Sequence, residues 1–505
     1  MADRAPTEFD GHPVAPATRA FLRRAHRFLI DGEWAEGSAG ETLASSDPAT
    51  GLPLATVAAG SPADMDRAVA AARRAFDGGW SRTGARERTR LMTRLARLLE
   101  ARAEVFTEVE VLDNGMPRAI AALTVANCVE MLDYYAGATL SIEGRTTTPP
   151  PHVTALAEAL TYTVREPVGV VGQIVPWNVP LSTAILKLAP ALAAGCTVVL
   201  KPAEETPLSA LLLGELIIEA GFPPGVVNIV NGRGESVGAA LAAHPDVDKI
   251  SFTGSTEVGR KIVIAAACNL KKVSLELGGK SPVVVMPDAD LSLAVPGVAM
   301  ATFFLQGQNC MAGTRIFVHE AIHDELVRGL AAFADGMVLG HGLDPATQVG
   351  PLISAGHRAR VMGYVHGGEA AGATRVAGMA QPAGPGHFMR PVIFTGAQPH
   401  MALMREEIFG PVMAIQRFAS NDIEQIAALA NDSPFGLSGS VWTRDLSFAH
   451  KLVSRIRSGQ VSINCHGAIG TNIPFGGMRQ SGWGREFGRE GLDAYLETKA
   501  VTARL

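Results

Sequence analysis

Two hydrophobic rhythms organise the chain. From Ser61 to Ala136 apolar residues recur at spacings of three and four, as in Met65, Val69, Ala72 and Phe76 and again through Leu91 to Leu99, which predicts helices with one buried face. Thr146-Thr147-Thr148-Pro149-Pro150-Pro151 breaks the pattern, and Thr161 to Glu166 alternates as an exposed strand does, so an excursion from the main body is expected there. From Val168 to Leu277 short apolar runs predict strands at Val168–Val175, Thr197–Lys201, Val226–Val230, Lys249–Thr253 and Lys272–Leu277. Between them lie helical stretches through Leu186 to Ala194, Leu208 to Ala220, Val237 to Ala243 and onward from Glu257. Alternation at this pitch predicts a parallel sheet with helices on both faces. A second α/β rhythm opens at Pro282-Val283-Val284-Val285-Met286 and runs to about Gly482. Ligands of such folds bind where the two units meet.

Composition narrows the class. A chain of 505 residues is too long for one ordinary core, so two or three domains are expected. Hydrophobic residues at 47% and charged residues at 18% fit a globular protein. Mean hydropathy is positive, at +0.17, but no run of about 18 uncharged apolar residues exists to span a membrane. The net charge of −5 and the scattering of Lys and Arg argue against nucleic acid as a partner. Cys128, Cys196, Cys268, Cys310 and Cys465 are odd in number and lack CxxC spacing, which suggests neither a disulfide framework nor a zinc site. Contexts such as Ala194-Gly195-Cys196-Thr197-Val198 suit buried, inert cysteines in a reducing compartment. Asp3, Glu8 and Asp10 spoil a transit peptide, and Arg and His interrupt Phe21 to Ile30, so a cytoplasmic location is expected; Arg23, Arg24 and Arg27 keep an organellar leader as the alternative.

Candidate chemistry gathers at the predicted strand ends. Cys310 lies in Gly307-Gln308-Asn309-Cys310-Met311-Ala312-Gly313, a polar, glycine-flanked setting unlike a core position, so it is a candidate nucleophile. Glu276 ends an apolar strand before Gly278-Gly279; partial burial would raise its pKa toward that of a general base, while an ordinary surface glutamate is the alternative. Pro176-Trp177-Asn178-Val179-Pro180 holds an amide between prolines, either to donate to an oxyanion or to cap the next helix. Phe252-Thr253-Gly254-Ser255 turns from strand to helix, as a phosphate cradle or as a plain tight turn; it is not the GxGxxG fingerprint. Gly232-Arg233-Gly234-Glu235-Ser236-Val237-Gly238 is a looser variant. Lys201-Pro202-Ala203-Glu204 ends another strand, where Glu204 either binds ribose hydroxyls, favouring NAD over NADP, or caps a helix.

These segments, with Leu275-Glu276-Leu277-Gly278-Gly279-Lys280, Glu406-Glu407-Ile408-Phe409-Gly410-Pro411 and Pro474-Phe475-Gly476-Gly477, stand in the order found in the NAD(P)-dependent aldehyde dehydrogenase superfamily, which the chain resembles over nearly its whole length. The resemblance implies a Rossmann-like cofactor domain (26–144 and 168–278), a second α/β catalytic domain (279–482) and a small β oligomerisation arm (145–167 and 483–505). It implies Cys310 as nucleophile, Glu276 as base, Asn178 with the Cys310 N–H as oxyanion hole, and Lys187 and Glu486 as a proton path. For NAD it implies Glu407 and Phe409 at the nicotinamide ribose and ring, Ser255 and Trp177 at the pyrophosphate, and Val175 and Pro176 alongside the cofactor. Lys201, Glu204, Gly234, Gly238, Phe252, Gly254, Leu277 and Gly278 complete the expected cofactor set.

By motif position the acyl end of an aldehyde would meet Asn127, Met131, Val179, Leu186, Phe304, Asn309, Met311, Gly467, Ala468, Ile469 and Phe475, none of them charged. Val179, Leu186 and Ile469 stand where the family often has bulky aromatic residues, which favours a bulky or aromatic aldehyde. Segments from Asn464 to Glu486 resemble the phenylacetaldehyde dehydrogenase branch. Homodimer or homotetramer formation through the arm is implied as well. The rivals are a CoA-acylating semialdehyde dehydrogenase, against which Glu276 speaks, and a non-catalytic paralogue.

Overall fold

The apolar runs become strands in a computed structural model that describes residues 8–9, 11–154 and 158–505. Asp3 and Asp10, read above against a leader, lie outside those residues, as do residues 155–157 of the predicted excursion. The amphipathic stretch divides into helices Pro62–Asp77, Ala85–Ala101, Ala103–Asn114 and Arg118–Ala138. Local chemistry sets the breaks: Ser61 and Asp64 form a capping box at the first helix, and Gly115 in a left-handed conformation (φ 88°) ends the third just before Pro117. Leu91, Leu95 and Leu99 form the buried stripe that the spacing predicts.

The first large sheet has a parallel centre in the order Lys272–Glu276, Lys249–Thr253, Val170–Ile174, Thr197–Lys201, Val227–Ile229. Its middle strand, Val170–Ile174, comes first along the chain, so the connections leave it in opposite directions. That arrangement opens a crevice above the carboxyl ends of the strands at this switch point. Val170–Ile174 and Thr197–Lys201 are buried throughout, as strands covered on both faces must be. Antiparallel Phe28–Ile30 and Glu33–Ala35 close one edge; Gly482–Trp483, at the expected junction of catalytic unit and arm, closes the other against Lys272–Glu276.

The second sheet runs Thr374–Ala377, Val392–Thr395, Val412–Phe418, Arg315–His319, Pro282–Val285, Ser440–Trp442, Ser462–Ile463, parallel apart from its first pair. Separate cores lie on its two faces, one around Val284, Phe317 and Phe394 and the other around Val283, Ile316 and Trp442. A third, three-stranded sheet sets Ala159–Pro167 between Leu496–Arg504 and Thr146–Thr147, which accounts for the excursion; the expected exposed alternation is not seen, for Thr161 is buried and Tyr162 to Glu166 are all half-buried between neighbouring strands. Among the described residues no helix is long and apolar enough to cross a membrane.

Candidate active site

The crevice at the switch point is a cavity of about 420 Å³. The first sheet lines it with Pro176, Trp177 and Asn178 beyond one strand, Thr253 to Ser255 beyond its neighbour, and Glu276, Leu277 and Gly278 beyond the next. Cys310, Glu407 and Phe409 face them from loops that lead into strands Arg315–His319 and Val412–Phe418. The close approach of the two units depends on glycine: a Cβ at Gly278 would sit 2.1 Å from Glu407 Oε2, and one at Gly279 2.4 Å from the Cys310 carbonyl oxygen.

The turn before Cys310 is strained and heavily tied down. Leu305, Gln306 and Gly307 are all left-handed (φ 53°, 56° and 69°), which costs a non-glycine residue about 1–2 kcal/mol. Gln306 Nε2 donates to the Gly115 and Pro351 carbonyls (3.1 and 3.3 Å), and Gln308 Oε1 accepts from Ile353 N–H (2.9 Å). The turn therefore holds Cys310 through contacts with both units. Burial, followed by the Glu407 and Glu276 carboxylates, pushes the Cys310 thiol up to about 12, while the N–H groups of Cys310 and Met311 pull it down.

Glu276 is 4% exposed. Burial first and the nearby Glu486 carboxylate second raise its pKa well above the carboxylate range, against the pull of Lys187 and Arg485. Lys187 and Glu486 form a buried ion pair, and Lys187 Nζ also donates to Ser251 Oγ at 3.1 Å. The Asn178 amide does not cap the following helix, for which Val179 is the cap; its Nδ2 donates to the Gln308 carbonyl at 2.9 Å, beside the nucleophile turn.

A family model described as the aldehyde dehydrogenase family matches residues 34–501. The chain belongs to the aldehyde dehydrogenase family. It is similar to human mitochondrial aldehyde dehydrogenase, at 45% identity over 484 residues, covering 95% of this chain and 92% of that one. Among solved structures it resembles an aldehyde dehydrogenase from Bacillus cereus in an NAD+ complex (TM-score 0.94, 42% identity, 97% of this chain and 99% of that one). A further neighbour is an NAD-dependent aldehyde dehydrogenase from Sinorhizobium meliloti (TM-score 0.93, 39% identity, 97% and 96%). The chain thus has the α/β fold of an aldehyde-oxidising enzyme family.

Against this family frame the remaining sequence-derived positions fall into groups. Lys201, Glu204, Gly234 and Gly238 lie outside the cavity, at the next strand end: Glu204 joins Lys201 Nζ (2.9 Å) to Gly234 N–H (3.2 Å), and the Lys201 stem runs beside Gly238. Gly234 to Gly238 form one wide helical turn that leads into Ala239–Ala243, where the sequence pattern predicts a helix from Val237. Ser255 Oγ caps helix Thr256–Ala266 by accepting from Val258 N–H (3.3 Å). Val175 and Phe252 have core side chains, 3% and 4% exposed, so only their main chain can border a ligand. Trp177 meets the Phe409 ring edge-on at 5.2 Å.

None of the expected acyl-end residues lines the cavity that holds Cys310 and Glu276. Met131, Leu186 and Phe475 are buried in the main core; Val179, Phe304 and Met311 pack against it beside Cys310. Asn309 and Gly467 are half-buried, whereas Asn127, Ala468 and Ile469 are exposed. Cys128 and Cys196 are buried as the cysteine contexts imply, but Cys268 and Cys465 are exposed. Sequence reasoning missed His357 and Arg360, which line the cavity from helix Ala355–Ala370. His357 Nε2 contacts the Phe409 carbonyl (2.7 Å), and Arg360 donates to the Glu407 and Ile408 carbonyls (2.8 and 2.7 Å). No short motif marks them; only their place one helical turn apart could have drawn attention. No cluster of three or more His, Cys, Asp or Glu able to hold a metal occurs among the described residues.

Proposed function

We propose that this aldehyde dehydrogenase oxidises an aldehyde to a carboxylic acid with NAD, through a thioester on Cys310 that water resolves. The observation that carries the reading is the convergence of Cys310, Glu276 and Asn178 on one cleft at the switch point of the first sheet. The cleft suits a dinucleotide: strand ends, the start of helix Thr256–Ala266 and an acidic strand-end residue, Glu204, lie along one edge. Pro176, Trp177, Gly254, Leu277, Gly278, Glu407 and Phe409 would hold the cofactor. Bound NAD supplies the hydride acceptor and a positive ring that favours the Cys310 thiolate.

Cys310 Sγ adds to the aldehyde carbonyl, and the oxyanion is held by Asn178 Nδ2–H and the Cys310 N–H. The former aldehyde carbon gives up its hydride, for which bound NAD would be the acceptor, and the acyl group stays on sulfur as a thioester; Glu276 then takes a proton from water, which attacks the thioester and releases acid and free thiol. Burial raises the Glu276 pKa above the ordinary carboxylate range, the direction in which a carboxylate becomes a stronger base, and the buried Lys187–Glu486 pair beyond it offers the proton a way out. The apolar side chains of Val179, Phe304 and Met311, which with Cys310 pack against the main core, support a bulky, apolar or aromatic aldehyde. The exposed strand Leu496–Arg504 at the edge of the arm sheet supports assembly into a homodimer or homotetramer by pairing with another subunit. Five free cysteines suit a reducing compartment such as the cytoplasm.

Sustained NADH formation from an aldehyde in CoA-free buffer tests the hydrolytic reading. A single turnover that resumes only on addition of CoA would assign the chain to the acylating class. A panel of acetaldehyde, benzaldehyde and phenylacetaldehyde with NAD and NADP side by side tests the rest: the highest kcat/KM for acetaldehyde would overturn the bulky-substrate assignment.

A further inference from the structure

The end of helix Ala103–Asn114 bonds to both segments that carry the proposed oxyanion hole. Asn114 Nδ2 donates to the Trp177 carbonyl at 2.7 Å and reaches the Asn178 carbonyl at 3.3 Å, gripping the peptide that carries the Asn178 side chain. One turn earlier Glu110 Oε1 accepts from Leu181 N–H at 3.3 Å, on the far side of the same loop. The next residue, Gly115, offers its carbonyl to Gln306 Nε2 at 3.1 Å, inside the strained turn that presents Cys310. Asn114, Glu110 and Gln306 are each no more than 1% exposed, so these contacts are made in the protein interior, away from competing water.

The geometry has a consequence for catalysis. Asn178 rides on the first sheet and Cys310 on a turn leading into the second, so the spacing of the two oxyanion donors depends on how two separately built sheets are registered. Donors of such a hole must be held to about 0.5 Å. The direct link between them, Asn178 Nδ2 to the Gln308 carbonyl, is a single hydrogen bond. Asn114 and Gly115 are consecutive residues of one helix end and so fix both partners to a common rigid body. We propose that Asn114 is a positioning residue of the oxyanion hole, acting through Asn178 and, by way of its neighbour Gly115, setting the distance from the Asn178 amide to the Cys310 N–H. The proposal rests on the hydrolytic dehydrogenase reading given above.

A double-mutant cycle on the full-length enzyme tests it. Asn178→Ala is expected to lower kcat with the preferred aldehyde about 100- to 1000-fold, as loss of one oxyanion donor does. Asn114→Ala is expected to lower kcat about 10- to 100-fold, the scale of a misplacement near 1 Å, with the Kd for NAD unchanged. Because Asn114 acts through Asn178, the double variant should be no slower than Asn178→Ala alone. A general structural role would instead make the two losses multiply, and that result overturns the proposal, as does a wild-type kcat in Asn114→Ala. If Asn178→Ala itself turns over at the wild-type rate, the oxyanion assignment fails and the positioning role falls with it. Asn114→Ser, which keeps a donor but is too short to grip both carbonyls, is carried through the same cycle and decides the matter should the alanine variant not fold.

Discussion

The two walls of the cleft differ in how their sheets meet it. The first sheet presents the carboxyl ends of its parallel strands, while the second presents loops that lead into the amino ends of its own. Carboxyl ends need little elaboration to bind a nucleotide, since a strand such as Lys249–Thr253 is followed at once by a helix whose free N–H groups and dipole point at the ligand. Amino-end loops have no such default. Cys310 is held instead by a left-handed turn, buried glutamine side chains and close backbone contacts from across the cleft. One wall is therefore given by topology and the other is assembled residue by residue, so single substitutions should damage them differently.

The largest difference is expected at the nucleophile. Cys310→Ala should remove turnover altogether, a loss above about 10,000-fold, while NAD still binds; measurable steady-state NADH formation would break the assignment. Next comes the turn that carries it. At Gly307 a Cβ would approach the Gly410 carbonyl oxygen to 2.2 Å on a left-handed backbone, so Gly307→Ala should lower kcat by about 100-fold or more with a smaller change in NAD affinity. Equal damage to both would mean that the walls are not independent. On the first wall, Glu276→Gln should keep a rapid burst of NADH and slow the steady state by about 100-fold, because only thioester hydrolysis needs the base. Loss of the burst would show that Glu276 also serves acylation. Glu204→Gln is the mildest: the NAD over NADP preference should shrink by about 10-fold with kcat little changed.

The same contrast explains what could be read before folding. The first wall was legible because its residues sit in a regular rhythm, each near the end of an apolar strand, so Asn178, Ser255 and Glu276 stand out as candidates from alternation and turn chemistry, while their roles come from the family resemblance. Cys310 was legible from its odd neighbours, but the reason for those neighbours was not. Gln306 and Gln308 bond to Gly115, Pro351 and Ile353, contacts that depend on where distant segments meet. His357 and Arg360 were hidden for the same reason: they project from a helix with no strong apolar stripe and act through the carbonyls of a loop some fifty residues on. Ser255 shows how one residue can serve two ends: its hydroxyl oxygen accepts from Val258 N–H to cap the helix behind it, and the residue lines the cavity. The acyl-end residues, taken from motif position, come from helices and loops that pattern alone does not bring together.

The smallest predicted effects concern stability, and here the walls should respond to pH with opposite sign. Behind the first wall, burial raises the Glu110 carboxyl from its ordinary 4.5 to about 8. The folded chain then keeps a proton that the unfolded chain releases above pH 4.5, so stability is lost as pH rises from about 4.5 and levels off beyond about 8. Behind the second wall, Lys280 has no hydrogen-bond partner for its Nζ among the described residues, and burial followed by the Arg315 charge lowers it from 10.5 to about 7. The unfolded chain now binds the extra proton, so stability is lost as pH falls from about 10.5 and levels off below about 7. Glu110→Gln should therefore gain unfolding midpoint over the parent as pH is raised from 5 to 8, and Lys280→Met should gain as pH is lowered from 10 to 7, each on the order of a few kcal/mol at most. Urea midpoints of the three proteins across that range decide it. Parallel pH slopes would mean that the two buried groups are solvated by water or by each other's surroundings, and that the walls are less separate than their topology makes them.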